Sequence, residues 1–456
     1  MRAISKFLTI GAVTIVAFAA MPSLAGAQAQ LLTPPRNVVL PNVNGVPSGP
    51  YGGLEDGAYA ARVDDASAAW FNPAGLSRAT TAQITGNAGL YQFTTLVPNA
   101  LPNTGGGLQQ LPNLVAFSVH TRGSCTVGLA IVTTNSWIQE TDAEIIAGSA
   151  ASGQRFAYSA DAEHSRRNIN LSGGCAQGRL RYGGGLSFAL TNLRLVDSIS
   201  DRLSSGTGLT TALLTTRRSG SALQLRPIIG VQFDQSEKWQ FGVVMRTPGA
   251  TLYRSGVFAL DGTYQNGAIS QGASVFDSSA TFTNKLPWEF QGGGAYVSPR
   301  VQVEVDLQAF TGGSSYAMLS TANPAILYSD SGQGMPPSIT TQSYPGLFTS
   351  PRGIVNVAIG GHYQLIPNRS FLLHAGFTTD MSPVNADDQV FDQVDLYGWT
   401  IGLSGQAKKL QFAGGVNIRR GTTNNAVLRD LLTGAPVATS LSVHTTAFIY
   451  SLAYQF

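Results

Sequence analysis

Charge is scarce in this chain. Asp, Glu, Lys and Arg make up 12% of its 456 residues, where a typical soluble domain carries about 25%. The charges nearly cancel, at +3 overall, with no basic cluster, which excludes a nucleic-acid partner. Two cysteines and five scattered histidines argue against a metal centre, and no residue pattern calls for a cofactor. There is no Gly-x-Ser-x-Gly elbow, no His-Glu-x-x-His pair and no phosphate loop, so nothing favours an enzyme. Beyond the N-terminus no apolar run reaches the roughly 18 residues of a spanning helix. A membrane protein of this composition has to cross with strands.

The N-terminus reads as an address. Arg2 and Lys6 precede an apolar core at 7–20, and Ala25-Gly26-Ala27 fits a small-x-small cleavage site. Residues 1–27 are therefore expected to be a secretory signal peptide rather than an uncleaved anchor. Residues 28–51 contain Pro34, Pro35, Pro41, Pro47 and Pro50, as an extended periplasmic leader would.

Residues 52–78 look unlike everything that follows. Alanines cluster at 58–61 and 66–69, and Asp64 and Asp65 precede the second cluster. Alanine favours helix and aspartate caps one, so a short helix is expected near 66–71. Pro73 stops it, and Asn72-Pro73-Ala74-Gly75 closes it with a turn. A small helical segment ahead of a barrel has one natural place, inside the lumen as a plug.

From residue 79 onward the chain alternates. In the last strand Phe448, Tyr450, Leu452, Tyr454 and Phe456 oppose Thr445, Ser451, Ala453 and Gln455. Val301, Val303, Val305 and Leu307 oppose Gln302, Glu304, Asp306 and Gln308. Period two with one greasy face means lipid on one side and a polar lumen on the other. Strands are expected near 79–93, 113–121, 124–134, 166–177, 179–198, 221–234, 238–252, 280–297, 301–311, 352–366, 370–380, 396–408, 410–421 and 442–456. Their connections alternate between short turns and long loops, as periplasmic turns and extracellular loops do. The expected fold is all-β: a fourteen-stranded antiparallel transmembrane β-barrel over 79–456, with a small N-terminal helical hatch in its lumen.

The motifs resemble those of the FadL-type outer-membrane transporters of long-chain fatty acids and other hydrophobic compounds. The resemblance rests on Gly53, Leu54, Ala58, Tyr59, Ala60, 64–67 and 71–76. It extends to Arg246-Thr247-Pro248, to 284–289 and to 380–384. It implies a hatch, a fourteen-stranded barrel, a monomer and an outer hydrophobic capture site. It also implies a kinked third strand, where Gly128 lies here. The terminal Phe456 and its aromatic neighbours resemble the signal read by the barrel assembly machinery. The Pro-rich leader at 28–51 is longer than the resemblance leads one to expect, and the loop 312–351 matches no family motif.

Several residues are candidate contacts. Cys125 and Cys175 are expected near the same rim, either as a disulfide or as two free thiols. Arg179, Arg181, Arg226, Arg246, Glu289, Glu304, Asp306, His362, His374, Asp380 and Arg419 fall on the inferred lumen face. They either contact substrate, with an arginine on a carboxylate, or form ion pairs that hold the hatch. Glu304 and Asp306 are the clearest cluster, with Arg62 of the hatch as a partner. The apolar residues of 199–220 and 253–279 either capture ligand or pack the loops onto the rim. The favoured function is passive transport of hydrophobic molecules, long-chain fatty acids first, across the outer membrane of a Gram-negative bacterium. The alternatives are a general diffusion porin and a surface-exposed adhesin or structural barrel.

Overall fold

Alternating polarity after residue 82 becomes strand after strand in the computed structural model of the chain. The structure describes residues 42–43, 48–98, 106–121, 123–149, 152–205, 208–332, 334, 336–344, 346–366, 370–429 and 436–456. The first strands are β1 (Gln83–Pro98), β2 (Gly106–His120), β3 (Cys125–Ser149), β4 (Ser152–Gln177), β5 (Leu180–Ser205), β6 (Gly208–Asp234) and β7 (Trp239–Arg246). There follow β8 (Ala250–Asn266), β9 (Ile269–Phe282), β10 (Glu289–Val297) and β11 (Val301–Phe310). Four short strands come next: β12 (Tyr316–Ser320), β13 (Ala325–Asp330), β14 (Ser338–Gln342) and β15 (Leu347–Thr349). The chain ends with β16 (Ile354–Gln364), β17 (Leu372–Asp380), β18 (Leu396–Ala407), β19 (Leu410–Arg429) and β20 (Pro436–Gln455).

Fourteen of these strands close an antiparallel barrel. β1 to β7 pair in order, β7 pairs with β10, β10 with β11, and β11 with β16. β16 to β20 pair in order, and β20 returns to β1 from Gln83↔Gln455 to Pro98↔Leu441. Each of the fourteen expected strands is present, in the expected order.

The expected long loops are mostly strand. Residues 135–165 and 199–220 continue the β3–β4 and β5–β6 hairpins, and 253–279 forms most of β8 and β9. β6 pairs with β7 over Ile228–Asp234 and with β8 over Thr210–Leu225, so the sheet continues upward past the barrel proper. β9 carries β13, and β13 carries β14. A strand needs about 9–11 residues to span a bilayer, and β6 has 27.

These extensions were hidden because side-chain polarity inverts along strands such as β4, β5 and β6 while their inward parity does not change. In β4 the even positions face inward throughout. Near the short turns the inward residues are Asn168, Asn170 and Ser172, and Ile169 and Leu171 point out. Further along, Tyr158, Ala160 and Ala162 are the buried inward residues, while Ser159 and Glu163 are exposed. The first arrangement suits lipid outside. The second is an ordinary apolar core with water outside.

That core caps the outer mouth. It joins Tyr158, Leu195, Ile199, Leu214, Phe258 and Leu260 to Met318, Leu319, Leu327, Tyr344 and Leu347 from 312–351 and to Val384, Val390 and Phe391 from 381–395. Leu214, Phe258, Leu260 and Val275 are buried in it, which supports the packing reading of their loops.

Cys125 and Cys175 are register partners on β3 and β4 and form a disulfide. The signal segment 1–27 lies outside the described residues. Of the leader, Asn42 and Ser48 to Tyr51 lie within the barrel instead of extending below it. Asn42 Nδ2 donates to the carbonyls of Asp380 at 2.5 Å and Val394 at 2.9 Å. Asn135 Nδ2 in turn donates to the Asn42 carbonyl at 3.0 Å.

The inversion locates the lipid belt on each strand and predicts unequal tolerance on one face of β4. Leu171, 61% exposed on the belt, replaced by Arg should cost about 2–4 kcal/mol. Ser159→Arg, on the same face above the belt, should change stability by less than about 0.5 kcal/mol. Denaturant titration of the chain folded into lipid vesicles would measure both.

Candidate functional site

The hatch begins from local hydrogen bonds. Ala66 N–H donates to Gln83 Oε1 at 3.0 Å, and Ser67 N–H donates to Asp65 Oδ1 at 2.7 Å. The helix α1 starts two residues later than expected and runs Ala68–Phe71, with Ser67 ahead of it. Asn72 follows in extended conformation, and its Oδ1 accepts from Ala74 N–H at 3.1 Å. Pro73 then opens a 3-10 turn over Pro73–Arg78, where its missing N–H costs nothing.

An irregular segment in a lumen leaves many backbone groups to satisfy. The wall supplies the partners. Asp306 Oδ2 accepts from the N–H groups of Tyr59 and Ala60, both at 3.1 Å, and from Gln291 Nε2 at 2.8 Å. Glu304 Oε1 accepts from Ala61 N–H at 2.6 Å. Arg62 pairs with Glu304 at 3.0 Å and also with Glu55. Asn72 Nδ2 bridges the Ala60 carbonyl at 2.9 Å and the Val231 carbonyl at 3.2 Å. Opposite it is Gly230, where a Cβ would collide with the Asn72 side chain. Arg78 binds Gln232 at 3.0 Å and Asp234 at 2.5 Å, and Arg181 shares Asp234.

Most of the predicted lumen residues therefore hold the hatch or brace the wall. Glu304 and Asp306 dock it, with Arg62 as partner. Arg246 pairs with Glu289 at 2.5 Å, donates to the Trp70 carbonyl and stacks over the Trp70 ring at 4.3 Å. Arg419 pairs with Asp380 at 3.0 Å and lies 4.0 Å from Asp56 of the hatch. Arg226 donates to the carbonyls of Thr247 at 2.8 Å and Pro287 at 3.0 Å, and lies 3.7 Å from Glu289. Arg179 is the exception. It is exposed in the short turn before β5, bonded to the Gln235 carbonyl, because the strand begins one residue after it. Asp64 is exposed and accepts from the Tyr59 hydroxyl at 3.3 Å. Asp65 is buried, and burial, reinforced by the charge of Asp64, pushes its carboxyl up to about 6.

Between hatch and cap lies a cavity lined by both hatch and wall residues. Strand β4 shows the three levels: Tyr158 to Ala162 in the cap, Arg166 and Asn168 on the cavity, Ser172 on the hatch. Trp70 and Phe71 form part of the floor, and Phe310 and Pro287 part of the wall. Arg166, Arg226 and Arg246 line it around Glu289, and Arg419 lines it beside Asp56. Among the described residues, no carboxylate makes an ion-pair contact with Arg166, whose Nε is buried without a hydrogen bond. Arg166, Trp70 and Phe310 were not singled out from sequence. For Arg166 and Phe310 the only signal was inward parity, which dozens of residues share, and Trp70 lies in the hatch helix.

The wall parts beside this cavity. The β2–β3 ladder runs from His120↔Thr126 to Leu114↔Val132, while β3 continues along β4 with a register shift between Thr133 and Asn135. Pro112 follows on β2 and has no N–H to give, and Thr133 Oγ1 reaches its carbonyl at 2.9 Å. Thr134, within the irregular step, lines the cavity. The irregularity of the third strand thus lies at Thr133–Asn135. Pairing through Gly128 is regular, and its bare Cα admits Leu76 of the hatch.

No family model matches the chain, and no curated protein sequence does. Solved structures match in fold. A Pseudomonas aeruginosa FadL homologue aligns over 93% of this chain and 100% of its own, at 13% identity and a TM-score of 0.57. The Pseudomonas putida toluene transporter TodX aligns over 90% of this chain and 98% of its own, at 13% identity and a TM-score of 0.58. The monoaromatic hydrocarbon channel CymD aligns over 92% and 99%, at 12% identity and a TM-score of 0.52. The chain shares their fold, a closed fourteen-stranded antiparallel barrel.

Two outcomes follow from the docking. Asp306→Ala leaves three buried donors without a partner, at about 1–3 kcal/mol each. Limited proteolysis of the folded barrel should then cut within 52–78 where the parent chain resists, and single-channel conductance should rise. The second outcome concerns pH. Because the Asp65 carboxyl is raised from 3.8 to about 6, the folded state keeps a proton that the unfolded chain loses. Its contribution to stability declines as pH rises from about 4 to 6 and is constant above, by at most roughly 3 kcal/mol. Protection of the hatch measured by hydrogen exchange should fall over that window. In Asp65→Asn, which retains an acceptor for Ser67 N–H, this component of the fall should vanish.

Proposed function

We propose that the chain is a passive outer-membrane channel of a Gram-negative bacterium for hydrophobic molecules with an acidic head, long-chain fatty acids first. Residues 1–27 serve as its signal peptide, 52–78 as its hatch, and Phe456 as part of its assembly signal. The observation that carries this reading is the cavity between cap and hatch. Its aromatic surfaces, Trp70, Phe71 and Phe310, accept an apolar tail. Its three guanidinium groups around Glu289 leave positive charge for a carboxylate. Ligand enters through the cap, rests in the cavity and leaves through the parted wall between β2 and β3 or past a displaced hatch. Burial of apolar surface, at about 25 cal/mol per Å², supplies the capture energy. Flow is downhill partition.

Neutral aromatics are the second reading, favoured by the TodX and CymD likeness and by the same aromatic rings. A general porin is disfavoured by a hatch that fills the lumen. An adhesin is disfavoured because much of 312–351 is built into the cap.

Uptake of a labelled long-chain fatty acid by cells lacking their own transporter tests the reading, with toluene uptake measured in parallel. Arg166→Leu removes a charged hydrogen-bond donor worth about 1.5–3 kcal/mol, roughly 10- to 100-fold in affinity. It should lower fatty-acid uptake and spare toluene. If the parent chain carries toluene and no fatty acid, the acidic-head reading is wrong and the neutral one takes its place.

A further inference from the structure

Two histidines and one hatch carboxylate remain outside the transport path. His362 on β16 and His374 on β17 are register partners, and both face inward. Glu55 of the hatch lies between them, with Oε1 2.9 Å from His362 Nδ1 and 2.7 Å from His374 Nδ1. The three donor atoms all lie within 4.8 Å of one another. We propose that Glu55, His362 and His374 form a binding site for one divalent transition-metal ion, Zn²⁺ foremost, that fastens the hatch to the barrel wall.

Four features support the assignment. Two imidazole nitrogens and a carboxylate oxygen are a donor set that zinc takes, with a fourth position left for water. A bare imidazole lone pair cannot face a carboxylate oxygen, so a proton or a cation has to lie between each Nδ1 and Oε1. The three groups are also held from behind. His374 Nε2 is 2.7 Å from Ser404 Oγ, the other Glu55 oxygen faces Arg62, and the Tyr51 ring stacks on His374 at 5.1 Å. Such outer partners fix ring orientation at metal centres. Finally, the buried charge is unbalanced. Glu55, Glu304 and Asp306 bring three carboxylates to one guanidinium, Arg62, and all four residues are buried. A divalent ion between the two imidazoles and Glu55 would add counter-charge to this carboxylate-rich cluster, where buried charge without a partner is costly.

The present donor spacings are those of hydrogen bonds. Zinc-ligand distances of about 2.0–2.2 Å require the donors to open by roughly 0.5 Å, within reach of side-chain rotation. The site ties residue 55 to two adjacent strands, so metal loss should loosen that part of the hatch while the barrel stays closed. This inference does not depend on which molecule the channel carries.

The test uses the full, tag-free chain in detergent, stripped with a chelator and dialysed against Zn²⁺ or Co²⁺. The expected result is one Zn²⁺ per chain by elemental analysis, and a Co²⁺ form with the intense visible bands of a four-coordinate site. His362→Gln and His374→Gln should each weaken binding at least tenfold, with folding of each variant checked by its heat-modifiable gel mobility. Zinc should also slow proteolysis within the hatch of the parent chain. Absence of retained Zn²⁺ in the folded parent chain overturns the proposal without any variant. So does equal retention by the folded double variant, since the ion would then lie elsewhere.

Discussion

The structure depends on hydrogen bonds from hatch backbone to wall carboxylate. Glu304 and Asp306, on one strand and two residues apart, receive the N–H groups of Tyr59, Ala60 and Ala61. Without them a non-repetitive segment would carry unsatisfied donors into a space closed to bulk water. Carboxylates suit the task because they only accept, and each can take several donors at once. Their charge then has to be met, and Arg62 meets part of it from the hatch itself. The wall and the plug are therefore one electrostatic unit, and neither is complete alone.

That unit explains where the few charges of the chain go. Lipid excludes them from the outer belt, so they collect inside and at the rims. Most serve to hold parts together. Arg246 braces Trp70, Arg419 braces the wall beside Asp56, and Arg78 ties the hatch exit to Asp234. Among the described residues that line the cavity, Arg166, Arg226, Arg246 and Arg419 outnumber the carboxylates Asp56 and Glu289. The same surface is floored by aromatic rings. An excess of one sign beside apolar walls is the arrangement that distinguishes a binding surface from structural pairing.

The strands divide the molecule into levels. A single strand such as β4 passes the hatch, the cavity and the cap with its inward parity unbroken. What changes is which face is apolar, because the medium outside changes from lipid to water. The cap is then an ordinary hydrophobic core, built partly from 312–351, and it closes the mouth of a lumen whose other end is closed by the hatch. Between two closures, the β2–β3 ladder ends beside Thr134, which lines the cavity.

Sequence alone determined the elements whose cause is local. Period-two polarity identified all fourteen barrel strands, since lipid on one face and lumen on the other imposes it residue by residue. Asn72-Pro73 marked the end of the hatch helix through backbone geometry, and Glu304 with Asp306 stood out as two charges on an inward face. The resemblance carried by 53–76 pointed to the plug. Tertiary structure decided the rest. The strand extensions above the belt resembled loops because their outward residues are polar, and the strand pairings, such as that of β6 with both β7 and β8, reveal them. Arg166 became distinct from other inward residues only through its neighbours across the lumen. Glu55 is 307 and 319 positions of chain from His362 and His374, and it meets them because barrel closure brings β16 and β17 against the hatch. Strand periodicity is a one-dimensional signal that a sequence records directly. Contacts across a closed barrel depend on register and shear, which emerge only when the last strand pairs with the first.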